Sequence, residues 1–153
     1  MTTPYEKRPI LLIENNLMDI DFALLAFKEN HITRPVVICR DGEEALAYIA
    51  AHACADDPNL PVLVLLDLRL PKIDGLGVLR HAKQHPIWQQ LPFVALTSSQ
   101  EPHDIAMAYS LGINSYVVKP VDFIVFVKVI RRLYSYWLLV NQPVFSEPNR
   151  RHL

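Results

Sequence analysis

The sequence predicts an α/β fold, a five-stranded parallel sheet with helices on both faces. Three observations carry this reading. Five short apolar runs alternate with five stretches of helical periodicity along the 153 residues, which is the order of consecutive βα units. The run Leu63-Val64-Leu65-Leu66 holds no polar residue, as in a strand buried on both faces. Polar residues then follow the apolar runs: Glu14-Asn15, Asp67, Thr97-Ser98 and Lys119. In a parallel sheet those ends share one edge, where open α/β sheets place their ligands.

Each element has its own justification. Residues 9–13 form the first strand and end in Glu14-Asn15-Asn16. Met18, Phe22 and Leu25, with Ala26 and Phe27, recur at helical spacing and are expected to face inward. Residues 35–39 form the second strand, closed by Asp41-Gly42. The helix from Glu43 turns Ala45, Leu46 and Ile49 inward, and residues 53–61 form a polar loop. The strand ending in Asp67 is followed by the turn Pro71-Lys72-Ile73-Asp74-Gly75 and a helix over 76–84. Residues 91–97 make the fourth strand. A helix over 105–111 stops at Gly112, a residue suited to a helix C-terminus. Residues 115–118 make the short fifth strand, followed by Lys119-Pro120. A last helix runs over about 121–140, with Asp122 favouring its N-terminus. One domain spans 1–140, and residues 141–153 form a tail draped on the surface or loose.

Composition narrows the function. Hydrophobic residues are 51% and charged residues 20% of the chain, which excludes a disordered chain. A formal net charge of -1 gives no default attraction to nucleic acid or an anionic membrane. No apolar run reaches the roughly 18 residues of a membrane span. The first residues lack the apolar core of a signal peptide, so a cytoplasmic location is expected. Cys39 and Cys54 have no metal-motif spacing and are expected to be reduced and at least half-buried. His81 and His85 sit at i,i+4 without a third ligand and read as a solvated helix face.

The strand ends combine carboxylates, an amide, a hydroxyl and an ammonium group. Taken alone, Asp67 reads as a cap for the loop that follows it. Carboxylates side by side, however, need a cation, and oxygen ligands suit Mg²⁺. A carboxylate facing Mg²⁺, with a hydroxyl and a lysine nearby, can attack a phosphoryl group.

These motifs, ILLIENN, LLDLRLPKIDG, ALTSS and SYVVKP, resemble the response-regulator receiver family over about residues 9–137. The resemblance implies a flavodoxin-like sheet of order 2-1-3-4-5 with five helices. It implies Asp67 as phosphoacceptor, Lys119 as its phosphoryl partner with a cis bond to Pro120, Thr97 as the switching hydroxyl and Tyr116 as the switching aromatic. As bare residues, Thr97 also suits a helix cap and Tyr116 an ordinary strand position. Glu14 and Asn15 fall on the acidic metal pair, and Arg69 supplies a backbone carbonyl to the metal.

Asn15 departs from the pattern, since the family usually carries aspartate there. One charge pair at roughly 4 Å and an effective dielectric near 20 is worth about 4 kcal/mol before desolvation. Weakened Mg²⁺ binding is therefore expected, with Asn15→Asp tightening it. Arg69, reaching back, is a candidate to replace part of the cation's charge. The chain is expected to signal rather than to act as an enzyme. The competing reading is a pseudo-receiver that docks a kinase without accepting phosphate. A hydrolase with an Asp nucleophile would carry a second acid where Arg69 stands, and a flavodoxin-like cofactor binder would need a phosphate-cradling loop where Glu14-Asn15-Asn16 stands.

The last helix is apolar on more than one face. Phe123, Phe126, Val127, Ile130, Leu133, Tyr134 and Trp137 can form its core face, while Ile124, Val125, Val129, Tyr136, Leu139 and Val140 point elsewhere. Such a helix is covered on more than one side, either by the tail with Val144 and Phe145 folding back or by a second copy of the chain. A homodimer is the preferred reading, with Phe123, Phe126, Val129, Tyr136 and Trp137 at the interface. The aromatic-rich helix and the loop before Pro61 look most like the receivers that serve bacterial phytochromes. That likeness implies a sensor histidine kinase partner of the phytochrome type.

Overall fold

The computed structural model describes residues 8–145. Five strands, β1 (Ile10–Ile13), β2 (Val36–Cys39), β3 (Leu63–Leu66), β4 (Phe93–Thr97) and β5 (Ser115–Val118), form one parallel sheet of order β2-β1-β3-β4-β5. The helices are α1 (Leu17–Glu29), α2 (Gly42–Ala51), α3 (Gly75–Lys83), α4 (Pro102–Ser110) and α5 (Phe123–Tyr134). A π-helical segment, Ser135–Val140, continues α5 to residue 140. The fold and strand order are those expected from the sequence.

Local chemistry sets the helix starts. Asn16, Asp41, Asp74 and Asp122 each accept the amide three residues on, at 3.1, 2.8, 2.8 and 3.0 Å, which satisfies an otherwise orphaned donor. Helix α4 starts instead with Pro102 in its first turn, where no amide is needed. It begins three residues earlier than the apolar periodicity indicates. Gly112 ends its C-terminal turn at φ +98°, a left-handed conformation open to glycine.

Strands β1, β3 and β4 are buried throughout. On one face Leu11, Ile13, Val64 and Leu66 pack with Ala45, Ile49, Val78, Leu79 and Trp88. On the other, Ile10, Leu12, Leu63, Leu65, Val94 and Leu96 pack with Ala23, Ala26, Phe27, Phe126 and Ile130. Trp88 lies in a short 3-10 turn, Trp88–Gln90, that periodicity is too short to reveal. Its indole N–H donates to the His52 carbonyl at 2.8 Å. His85, half-buried, caps that turn by accepting the Ile87 and Trp88 amides.

Several expectations are corrected. Helix α1 buries Ile20, Ala23, Ala26 and Phe27, whereas Met18, Phe22 and Leu25 are 65%, 39% and 45% exposed. Every residue from Phe22 to Phe27 is apolar, so spacing alone leaves the face undecided. The two alanines let the helix approach the sheet. Cys54 is exposed, because the loop after α2 leaves it at the surface, while Cys39 is buried. Every described peptide bond is trans, including Lys119–Pro120, where trans is the lower-energy state of an X–Pro bond. Val144 and Phe145 line a small pocket with Arg8, Pro61, Val62 and Pro92, and Phe145 packs against the core cluster that holds Leu60 and Leu91. Residues 146–153 lie outside the described residues.

Candidate functional site

The ladder hydrogen bonds run one rung past the strands and place the polar side chains. The Glu14 amide donates to Cys39 O (3.0 Å), the Asp67 amide to Ile13 O (3.0 Å) and the Lys119 amide to Thr97 O (2.8 Å). Ile13 is level with Leu66 across β1 and β3, so Glu14 and Asp67 follow as neighbours on one edge. Gly75 lets α3 close tightly behind Asp67, because a Cβ there would stand 2.3 Å from the Asp67 carbonyl oxygen.

Lys119 is the centre of the cluster. Its Nζ donates to Glu14 Oε2 at 2.6 Å, Asp19 Oδ2 at 2.8 Å and Asp67 Oδ2 at 3.0 Å. The Arg69 amide donates to Asp67 Oδ1 at 3.1 Å. Glu14 Oε1 accepts the Asn16 amide at 3.1 Å. Thr97, fully buried, sits beside the Asp67 carboxylate.

The electrostatics follow from burial and this shared ammonium. Burial pushes the Glu14 carboxyl from 4.5 up to about 7, with the Asp67 charge adding and the Lys119 hydrogen bond opposing. Burial also opposes ionisation of Asp67, but the Lys119 charge, the Arg69 amide and Thr97 outweigh it and hold that carboxyl below its usual value. Burial alone would lower Lys119. Its bonds to Asp19 and Glu14, with the Asp67 charge, raise it instead. The result is an ionised Asp67 held against a cation at the open end of the sheet.

The structure thus brings together Glu14, Asp67, Thr97 and Lys119. Asn15 is adjacent in the chain but exposed. The Arg69 guanidinium does not reach back to the cluster. It donates to Asp104 Oδ2 at 2.8 Å and lies 3.5 Å from Ser99 Oγ, because α4 presents a carboxylate on that side. Ser99 Oγ donates to the same Asp104 oxygen at 2.6 Å. The Tyr116 hydroxyl donates to Ser99 O at 2.9 Å, which ties the β5 aromatic to the loop after Thr97.

Sequence reasoning missed Asp19, Ser99 and Asp104. For Asp19 a signal existed: it is an acidic residue in the first turn of the helix that follows Glu14-Asn15-Asn16. Assigning Met18 and Phe22 to the core turned it away.

Glu14, Asp19 and Asp67 offer carboxylate oxygens all within 4.8 Å of one another. A set of hard oxygen donors fits Mg²⁺ or Mn²⁺.

On α5, Phe126 is 5% exposed and packs into the core, so it is removed from the expected interface. It faces inward because Phe126 and Ile130 share one helical stripe. Phe123, Val129 and Trp137 are half-buried, and Tyr136 is 50% exposed. An open groove between β5 and α5 is lined by Ser115, Val117, Val129, Arg132, Leu133, Tyr136 and Trp137. No helix among the described residues is long and apolar enough to cross a membrane.

Comparison with known proteins agrees with this geometry. The probable methanogenesis regulatory protein FilR2 of Methanothrix harundinacea is 38% identical over 133 residues, covering 87% of this chain and 85% of that protein. Response regulator Rcp1 of Synechocystis is 34% identical over 129 residues, covering 84% of this chain and 88% of that protein. Its Mn²⁺-bound crystal structure superposes with a TM-score of 0.78 at 33% identity, over 89% of this chain and 98% of that one. The phosphorylated cyanobacterial phytochrome response regulator RcpA gives a TM-score of 0.81 at 32% identity, over 90% and 98% of the two chains. Residues 10–131 match the response regulator receiver domain, and the chain belongs to that family.

Proposed function

We propose that this chain accepts a phosphoryl group on Asp67 from the phosphohistidine of a sensor histidine kinase of the phytochrome type. The observation that carries the reading is Lys119 Nζ, 3.0 Å from Asp67 Oδ2 beside the buried Thr97. A carboxylate oxygen of Asp67 attacks phosphorus, the phosphorus–nitrogen bond to the histidine breaks, and the imidazole leaves with its electron pair. Lys119 balances charge on the phosphoryl oxygens, and Thr97 donates a hydrogen bond to one of them. Attack by water on phosphorus later releases phosphate and restores the Asp67 carboxylate.

Glu14, Asp67, Asn15 and the backbone carbonyl of Arg69 would hold Mg²⁺, which supplies positive charge to the transferring group. The switch then runs through Thr97, the loop at Ser99 and the Tyr116 hydroxyl to the face formed by β5 and α5. A homodimer through the last helix is supported by its exposed apolar residues, with Ile124, Leu139 and Val140 at 67%, 64% and 63% exposure, and by the groove lined by Val129, Tyr136 and Trp137. Light scattering at high micromolar concentration is expected to show a dimer that Tyr136→Glu dissociates, whereas a monomeric wild type refutes the assignment.

Phosphotransfer from a radiolabelled phytochrome-type kinase to wild type and Asp67→Asn tests the central claim. Label is expected on wild type alone. A wild type that binds the kinase but takes no label refutes phosphotransfer and supports the docking-module reading, for which Asn15 is the observation.

A further inference from the structure

We infer that Asp19 carries the charge that Asn15 lacks, so that the cation site of this chain draws its third carboxylate from the first turn of α1. The inference rests on the proposed metal-assisted function and deepens it.

The local structure that places Asp19 is set by its neighbours. Asn16 caps α1 by accepting the Asp19 amide at 3.1 Å, while its own amide donates to Glu14 Oε1. The segment from Glu14 to Asp19 is therefore tied at both ends. Asn15 stays exposed between them, and the Asp19 side chain turns over the strand ends. Its Oδ2 lies 2.8 Å from Lys119 Nζ. A carboxylate oxygen of Asp19 lies within 4.8 Å of one from Glu14 and one from Asp67.

Charge counting shows what this contributes. In their ionised forms Glu14, Asp19 and Asp67 carry three negative charges and share one ammonium, Lys119. The surplus of two matches a divalent cation. Arg69, the other cation nearby, is engaged with Asp104. Without Asp19 the surplus would be one. An aspartate at position 15, next to Glu14 in the chain, would restore the surplus of two, so the two positions are expected to be electrostatically interchangeable.

The test is Mg²⁺ affinity measured by calorimetry on the full chain, with circular dichroism confirming that each variant is folded. Asp19→Asn keeps the side-chain shape and the capped amide and removes only the charge. It is expected to weaken Mg²⁺ binding roughly 10- to 100-fold, the usual effect of losing a supporting group around a metal. The double variant Asn15→Asp/Asp19→Asn is expected to recover to within a few-fold of wild type. Asn15→Asp alone is measured beside it: if the two positions are interchangeable, aspartate at 15 gains clearly more in the Asp19→Asn background than in wild type, whereas an Asp19 that merely pairs with Lys119 gives the same gain in both. An Asp19→Asn affinity within about two-fold of wild type, with Asp67→Asn clearly weakened, overturns the role of Asp19 while leaving the metal site standing. Weakening without recovery in the double variant overturns the interchange of the two positions. A wild type that binds no Mg²⁺ at millimolar concentration overturns the metal reading itself, and this inference with it.

Discussion

Replacing Lys119 by methionine removes the ammonium that three carboxylates share. The cost follows from their burial. The Glu14 and Asp67 side chains are 4% and 7% exposed, and stripping the cation from such a buried pair costs about 3–5 kcal/mol. Asp19 is 36% exposed, and solvent screening holds its share below about 1 kcal/mol. A domain of this kind has about 5–15 kcal/mol in total, so the variant stays folded but is much weakened. The loss must also depend on pH. Without Lys119, Glu14 rises further above its ordinary value and Asp67 loses the charge that most lowers it. Groups with raised folded-state values stabilise fully below their unfolded values and lose that stabilisation as pH climbs. Urea unfolding in metal-free buffer is therefore expected to show the full loss at about pH 8 and a smaller one at about pH 5. A loss under about 1 kcal/mol at the higher pH, or an equal loss at both, would refute the shared-cation account.

Three further outcomes are expected. In the wild type, Glu14 is raised from 4.5 to about 7, a stabilisation of about 3 kcal/mol present at acid pH and lost as pH rises through 7. Asp67 acts below its ordinary 3.8 and Lys119 above its ordinary 10.5, so between those limits Glu14→Gln should flatten the metal-free stability profile. Gly75→Ala puts a Cβ 2.3 Å from the Asp67 carbonyl oxygen and 2.6 Å from Leu68 Cα. That crowding of backbone should cost about 1–3 kcal/mol and lower label uptake, read by thermal melting and phosphotransfer. Arg69→Ala should change stability by less than about 1 kcal/mol, because the side chain is 62% exposed. Amide resonances of Ser99, Asp104 and Tyr116 should nevertheless shift, and unchanged spectra at those residues would refute the network.

The sequence alone determined the alternation of strands and helices, the polar strand ends and the position of Asp67 among them. Those features are local: an unbroken apolar run, a capping residue before a helix, a glycine after one. The parallel edge then gathers Glu14, Asp67, Thr97 and Lys119 by topology. Tertiary structure decided what local pattern leaves degenerate. Helix α1 is apolar on several sides, and packing of Ala23 and Ala26 chose the buried stripe, which brought Asp19 to Lys119. Phe126 and Tyr136 share one apolar helix, yet only contact with the sheet separates core from surface. Arg69 has a long reach in every direction, and the carboxylate of Asp104 drew it off the cluster. At the strand edge, then, sequence established which charges meet Asp67 along the sheet. Only the packed fold showed that a helix supplies another, because a side chain's partner across the chain depends on which face its helix turns inward.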